Sequence, residues 1–318
     1  MVWTFDRHAI AEAGWRHMII VFGSVNLDIM VQVDALPGAG ETVSGADRVM
    51  SPGGKGANQA LAARRMDADV TLVGAIGDDD FGRQATRLLR DDGVNLSHMQ
   101  TVERPTGVAL IAVNSRGENS IVVSPGANFA IRAAGLDAVQ TTRDDILVLQ
   151  CEVPEKELRS AIAWAKGRGI RIMLNLAPAI PVAPATLHDL DALIVNETEC
   201  GMLAATLGIS SEPSQFVEVM ARRFELTAVT TLGARGLIAH DGGRSYEIGA
   251  FPVKVVDTTA AGDAFVGAFA AAIGEGAGTE EALQIASAAG ALTCTKPGAQ
   301  QSLPWRQDVR AFLAEAQS

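Results

Sequence analysis

The chain has 318 residues, of which 48% are hydrophobic and 20% charged, and 26 basic side chains face 37 acidic ones for a net charge of −11. That balance argues against a nucleic-acid or anionic-membrane partner, because both require a basic face. A phosphorylated ligand stays open, since backbone N–H groups and a few cations can hold an anion locally.

The opening segment, MVWTFDRHAIAEAGWRH (1–17), lacks the cationic start and apolar core of a signal peptide and reads as an extension outside the fold. From residue 18 onward, β-branched runs alternate with helix-like stretches. Strands are expected at IIVF (19–22), VTLVGAI (70–76), ILVLQ (146–150), IRIMLNL (170–176), ALIVN (192–196) and TAVTTL (227–232). Between them, ANQALAARRM, FGRQATRLLRDDG and EKELRSAIAWAKGRG have helical periodicity. Apolar strands separated by helices predict one α/β domain over 18–318, its mostly parallel sheet covered on both faces. Ligands on such sheets sit beyond the carboxyl ends of the strands. Residues 28–52 and 106–126 break the rhythm, being strand-like and turn-rich, and VALIAV and SIVV around NSRGEN read as a hairpin. Together they predict a small β-sheet lid.

MIIVFGSVNLDIMV is interrupted by Asn26 and Asp28, so it is not a membrane span. Cys151, Cys200 and Cys294 have neither metal-ligand nor redox spacing, which suits reduced buried thiols in a cytoplasm. His8, His17, His98, His188 and His240 show no paired ligand spacing. Asp78, Asp79 and Asp80 are expected to cap a helix starting near Phe81.

In SPGGKGANQA (51–60), Val49 and Gly56 stand where a Walker loop needs Gly and Ser or Thr, so that motif fails. The remaining readings are a simple helix start, or a glycine pair letting backbone approach a ligand beside Lys55 and Asn58. Asn26 and Asp28, read as the end of the first strand, fall on one side of an extended chain, which suits vicinal hydroxyls as well as a plain turn. Glu152 follows the strand ILVLQ in the same way. In NETE, Asn196 and Glu199 fit a capping box and equally the waters of a Mg²⁺. TLGARG (231–236) places glycines where a base or phosphates could lie against backbone. In DTTAAGDAF (257–265), Ala260, Ala261 and Gly262 leave a bare shelf before a helix whose Phe265, Phe269 and Ile273 form one apolar stripe. Unpaired N–H groups at such a start make an anion site, where Asp263 would be stabilised as a base or serve as a cap.

GSVNLD, GGKGAN, NETE, TLGARG and DTTAAGD, in this order, resemble the ribokinase-like carbohydrate kinases, and the likeness covers roughly residues 18 to 313. The resemblance implies ATP-dependent phosphorylation of the 5-hydroxyl of D-ribose; another small sugar such as 2-deoxyribose or fructose, a nucleoside, or a catalytically silent sugar-binding protein are the alternatives. It implies Asp263 as general base, with an anion hole from the N–H groups of Ala261, Gly262 and Asp263 on the shelf that Ala260 opens. Asn26, Leu27, Asp28, Gly54, Lys55, Gly56, Ala57, Asn58 and Glu152 would line the sugar site. ATP would lie against Asn196, Thr231, Leu232, Gly233, Ala234, Arg235, Gly236 and Ser287, with Glu199 holding Mg²⁺ through water. Ala234 stands where the family often has Ser. The resemblance further implies a K⁺ or similar activator near Asp257, Thr259, Thr293, Lys296, Gly298 and Ser302, a cytoplasmic enzyme, and a homodimer joined through the lid.

Overall fold

A computed structural model describes residues 17–316, so the expected N-terminal extension lies outside the described residues except for His17, as does His8. Strand β1 (Ile19–Phe22) is apolar and fully buried, as a strand covered on both faces must be. The chain leaves it through Gly23–Val25 and starts a new strand, β2 (Asn26–Val33), antiparallel to β3 (Val49–Gly53). Asn26 and Asp28 therefore begin a lid strand instead of ending the first strand. Helix α1 (Lys55–Arg65) follows at once.

The run expected as one strand over 70–76 divides at Gly74 into β4 (Val70–Val73) and β5 (Ala75–Gly77). The single helix expected near 81–93 is two, α2 (Asp80–Ala85) and α3 (Arg87–Asp91), parted at Thr86, whose hydroxyl donates to the Gly82 carbonyl at 2.7 Å. Asp79 caps α2 as expected, accepting the Gly82 N–H at 2.7 Å. Strand β6 (Gln100–Val102) pairs with β5, and β7 (Gly107–Asn114) and β8 (Asn119–Ser124) form the expected hairpin.

Strands and helices then alternate, with a pair of helices before the last strand: β9 (Ile146–Gln150), α4 (Glu155–Lys166), β10 (Arg171–Asn175), α5 (Pro184–Leu187), β11 (Ala192–Asn196), α6 (Glu197–Leu207), α7 (Pro213–Phe224) and β12 (Thr227–Thr231). Strands β13 (Leu237–His240) and β14 (Ser245–Ile248) turn back antiparallel, and α8 (Ala261–Glu275), α9 (Thr279–Thr293) and α10 (Arg306–Ala316) complete the described chain.

The large sheet has eight strands in the order β14-β13-β12-β11-β10-β9-β1-β4, parallel from β12 to β4. Alternation along β1 sends Ile19 and Val21 into a core shared with α1, α8 and α9, and Ile20 and Phe22 into a second core shared with α4, α6 and α7. The lid segments form a separate four-stranded sheet, β3-β2-β7-β8. No helix among the described residues is long and apolar enough to cross a membrane.

One contact sets the geometry of everything that follows. A methyl group at Gly267 of α8 would stand 2.5 Å from the Ala62 Cβ and the Gln59 carbonyl of α1, so the two helices meet backbone to backbone. One turn earlier on each helix, the same approach brings Asn58 and Gln59 against Asp263.

Candidate active site

The first turn of α8 begins at Ala260, whose φ of 61° is left-handed and whose side chain caps nothing. The Ala261 N–H is occupied, donating to the Thr258 carbonyl at 3.2 Å, so it is not the free donor expected of it. The N–H groups of Gly262 and Asp263 are the ones left to an anion. A methyl group at Gly262 would meet no atom within 4 Å, so the space in front of them is open. Along the helix, Phe265 and Phe269 are buried in the core, their rings stacked with centroids 6.1 Å apart.

Asp263 is buried at 6% exposure and does not cap its helix. Its Oδ2 accepts the Asn58 amide at 2.9 Å and its Oδ1 accepts the Gln59 amide at 3.0 Å. Its negative charge is the main influence raising the Lys55 ammonium above the ordinary range; burial opposes that rise, and Glu152 and Glu199 reinforce it. Gln59 escaped the sequence reading. A lone amide in an Ala-rich helix carries no signal of its own beyond following Asn58.

Asp28 faces the same cleft from the lid. Burial, then the charges of Glu152 and Asp263, push its carboxyl up to about 7, while Lys55 pulls the other way. A Cβ on Gly53, which pairs with Asn26 across the strands, would collide with the Asp28 carboxyl group. Asn26 is pinned by Asn128, which donates to its Oδ1 at 2.7 Å. Glu152 accepts the Ser24 hydroxyl at 2.6 Å and the Lys55 backbone N–H at 3.1 Å. Leu27 and Ala57 are core residues at 1% and 0% exposure.

The glycines of GGKGAN act differently from the expectation that they admit a ligand. A Cβ on Gly54, which has φ of 87°, would come 2.7 Å from the Asn26 nitrogen; one on Gly56 would come 2.5 Å from that of Ser24. They let α1 start against the turn after β1, which holds Lys55 and Asn58 in place.

On the other side of the α8 start, Asn196 and Glu199 form the capping box of α6, with both bonds at 2.9 Å. Burial raises the Glu199 carboxyl, and the Asn196 N–H and Lys55 only partly offset it. Thr231 ends β12, and residues 233–235 make a single 3-10 turn, with Arg235 paired to Glu197. Gly236, at φ 89°, lies so close to the Ile248 carbonyl that no Cβ fits. Ser287 is half-buried on α9.

Asp257 accepts the Thr259 N–H (2.9 Å) and hydroxyl (2.6 Å) on one oxygen and the Gly298 N–H (2.8 Å) on the other. Burial pushes this carboxyl up, but those bonds outweigh it and hold it below the usual range. The hydroxyls of Thr293 and Ser302 donate to the carbonyls of Ala289 and Ala299, and the Thr293 carbonyl accepts the Lys296 N–H at 3.3 Å. Cys151 and Cys200 are buried free thiols, raised to about 12 and about 11 chiefly by burial, while Cys294 is only half-buried. His240 is buried and accepts the Gly242 N–H, a structural role. Among the described residues no three His, Cys, Asp or Glu side chains cluster as metal ligands, the Asp78–Asp80 run included.

Comparison with known proteins gives this geometry a family. Residues 16–306 match the model of the pfkB family carbohydrate kinases. A ribokinase of Bacillus subtilis is 38% identical over 93% of this chain and 99% of its own. The structure of Arabidopsis thaliana ribokinase complexed with ribose and ATP superposes with a TM-score of 0.83 at 33% identity, covering 93% of this chain and 98% of that one. A deoxyribokinase of Salmonella typhi is 31% identical over 93% of this chain and 98% of its own. The chain belongs to the pfkB family of carbohydrate kinases and has the ribokinase-like α/β fold.

Proposed function

We propose that this kinase transfers the γ-phosphoryl group of ATP to the 5-hydroxyl of D-ribose. The observation that carries the reading is Asp263, a buried carboxylate fixed by two amides at the foot of an open, uncapped helix start. In the reaction the sugar oxygen bonds to the γ-phosphorus, the bond from that phosphorus to the departing ADP breaks, and Asp263 takes the hydroxyl proton. The N–H groups of Gly262 and Asp263 and the α8 dipole stabilise charge on the transferring group. Ala261 joins them only if its bond to Thr258 opens.

Asp28, Asn26, Lys55, Asn58 and Glu152 suit a small polyol, because they offer acceptors and donors for adjacent hydroxyls. Asn196, the 231–236 segment and Ser287 would border the nucleotide. Mg²⁺ bound with ATP supplies charge neutralisation between the phosphates. Glu199 fits a role toward it through water, since one of its oxygens is committed to the capping box. A monovalent cation fits the oxygen-rich patch of Asp257 and Thr259 with the carbonyls near Thr293, Lys296, Gly298 and Ser302; Lys296 can contribute only its carbonyl. For a homodimer, the lid supplies the surface: Val49, Leu110, Ile121, Val122 and Val123 are 50–62% exposed on one small sheet.

The deoxyribokinase relative keeps 2-deoxyribose as the competing substrate, ahead of fructose or a nucleoside. Coupled ADP release measured over ribose, 2-deoxyribose, fructose and nucleosides decides between them. Ribose should give the highest kcat/KM; a markedly better alternative overturns the assignment, and sugar binding without ADP release overturns the kinase reading itself.

A further inference from the structure

Behind Asp263 lies a chain of buried amides that the proposed chemistry does not use. Gln59, at 0% exposure, donates both hydrogens of its Nε2, one to Asp263 Oδ1 and one to Asn175 Oδ1, each at 3.0 Å. Its Oε1 accepts the Gln150 amide at 2.7 Å. Asn175 on β10 in turn donates its own Nδ2 to the Ile194 carbonyl at 3.2 Å. That last bond removes the ambiguity in the chain. A carbonyl only accepts, so the nitrogen of Asn175 must face it and its oxygen must face Gln59. The nitrogen of Gln59 is then turned toward Asn175, and its second hydrogen can go only to Asp263. The orientation of one backbone carbonyl in the central sheet thus dictates that Asp263 Oδ1 meets a donor.

We infer that Gln59 is a positioning residue for Asp263: with Asn175 and Gln150 behind it, it fixes the carboxylate plane and keeps a donor on Oδ1. This inference rests on the reading of Asp263 as the base. The need for such support follows from the surroundings. Asp28 on β2 and Glu199 on α6 are acidic neighbours of Asp263, and Lys55 on α1 is its basic one. Two acids near a third favour protonation, and a hydrogen bond to the ionised form opposes it. The Asn58 amide holds only Oδ2, so the placement of Oδ1 rests on Gln59.

The test compares Gln59→Leu, Gln59→Glu and Asp263→Asn in the full-length kinase, with thermal melts to establish folding. Gln59→Glu keeps the shape but replaces the donor with an acid. Both Gln59 variants should lower kcat by about 10- to 100-fold, within the range of a general-base contribution. The KM for the sugar should change less than about threefold, because uniform substrate binding is untouched. The acid limb of the kcat–pH profile should move to higher pH, furthest for Gln59→Glu. A purely structural role would lower the melting temperature and leave that limb in place. Wild-type kcat and an unmoved limb in a folded Gln59 variant overturn the inference, and Gln59→Glu decides alone if Gln59→Leu does not fold. Near-normal turnover in Asp263→Asn would instead overturn the reading of the base, so the two failures are distinguishable.

Discussion

Asp263 at the start of α8 receives amide hydrogens from Asn58 and Gln59, whereas Asp28 on the lid strand has only charge and burial acting on it. The contrast extends to their supports. The floor of the cleft is two helices in backbone contact at Gly267, inside a core; the lid is a four-stranded sheet with five large apolar residues half or more exposed. Groups that must hold one geometry during bond making are over-determined by the protein. Among the described residues no hydrogen bond engages the Asp28 carboxyl, which suits the role proposed for it toward sugar hydroxyls.

Variants on the two sides should therefore fail in different ways. Asp263→Asn, on the floor, should reduce kcat at least about 10²-fold with little change in the KM for sugar, measured as steady-state ADP release. Gly267→Val should wedge α1 from α8, destabilising the fold by about 1–3 kcal/mol in denaturant titrations and lowering kcat along with it. If kcat survives that wedge, the helix contact is not what aligns the floor.

Asp28→Asn, on the lid, should act mainly on the KM for sugar, raising it about tenfold or more while kcat falls less. Its stability effect has the opposite sign. Asp28 is raised in the folded state from 3.8 to about 7, so the native form holds its proton where the unfolded chain has lost it. Stability contributed by that proton is lost as pH rises from about 4 to about 7. The Asn variant should thus melt higher than the parent at pH 8 and show a flatter stability profile between pH 4 and 7. For the same reason, sugar affinity in the parent should improve as pH rises through about 7; a pH-independent KM would break the contrast. The smallest effect is expected from Ile121→Lys, which should weaken the proposed self-association in sedimentation while shifting folding stability by no more than about 0.5 kcal/mol.

The six parallel strands of the main sheet were legible because short apolar β-branched runs bounded by turns have few other places to go, whereas the antiparallel β13 and β14, more than half of whose residues are not buried, were not foreseen. The same rule misjudged Asn26 and Asp28, since VFGSVNLDIMV looks continuous and only the turn at Gly23–Val25 separates a core strand from a lid strand. The five motifs pointed to the proposed site, yet Gly54 and Gly56 of GGKGAN face the chain's own turn after β1. Asp263 announced itself by the empty residues before it. Gln59, Asn175 and Gln150 sit on three separate elements, α1, β10 and β9, and only the packing of α1 over the sheet brings the two sheet amides onto Gln59.

Ala260 bears on how such a site survives. A non-glycine residue at φ 61° costs about 1–2 kcal/mol, and here it buys no capping bond. Glycine at this position would relieve the strain and make the protein harder to unfold. It would also widen the range of backbone angles open to the two amides that follow. Rigidity is thus held at the expense of robustness at the helix start proposed to receive the phosphoryl group.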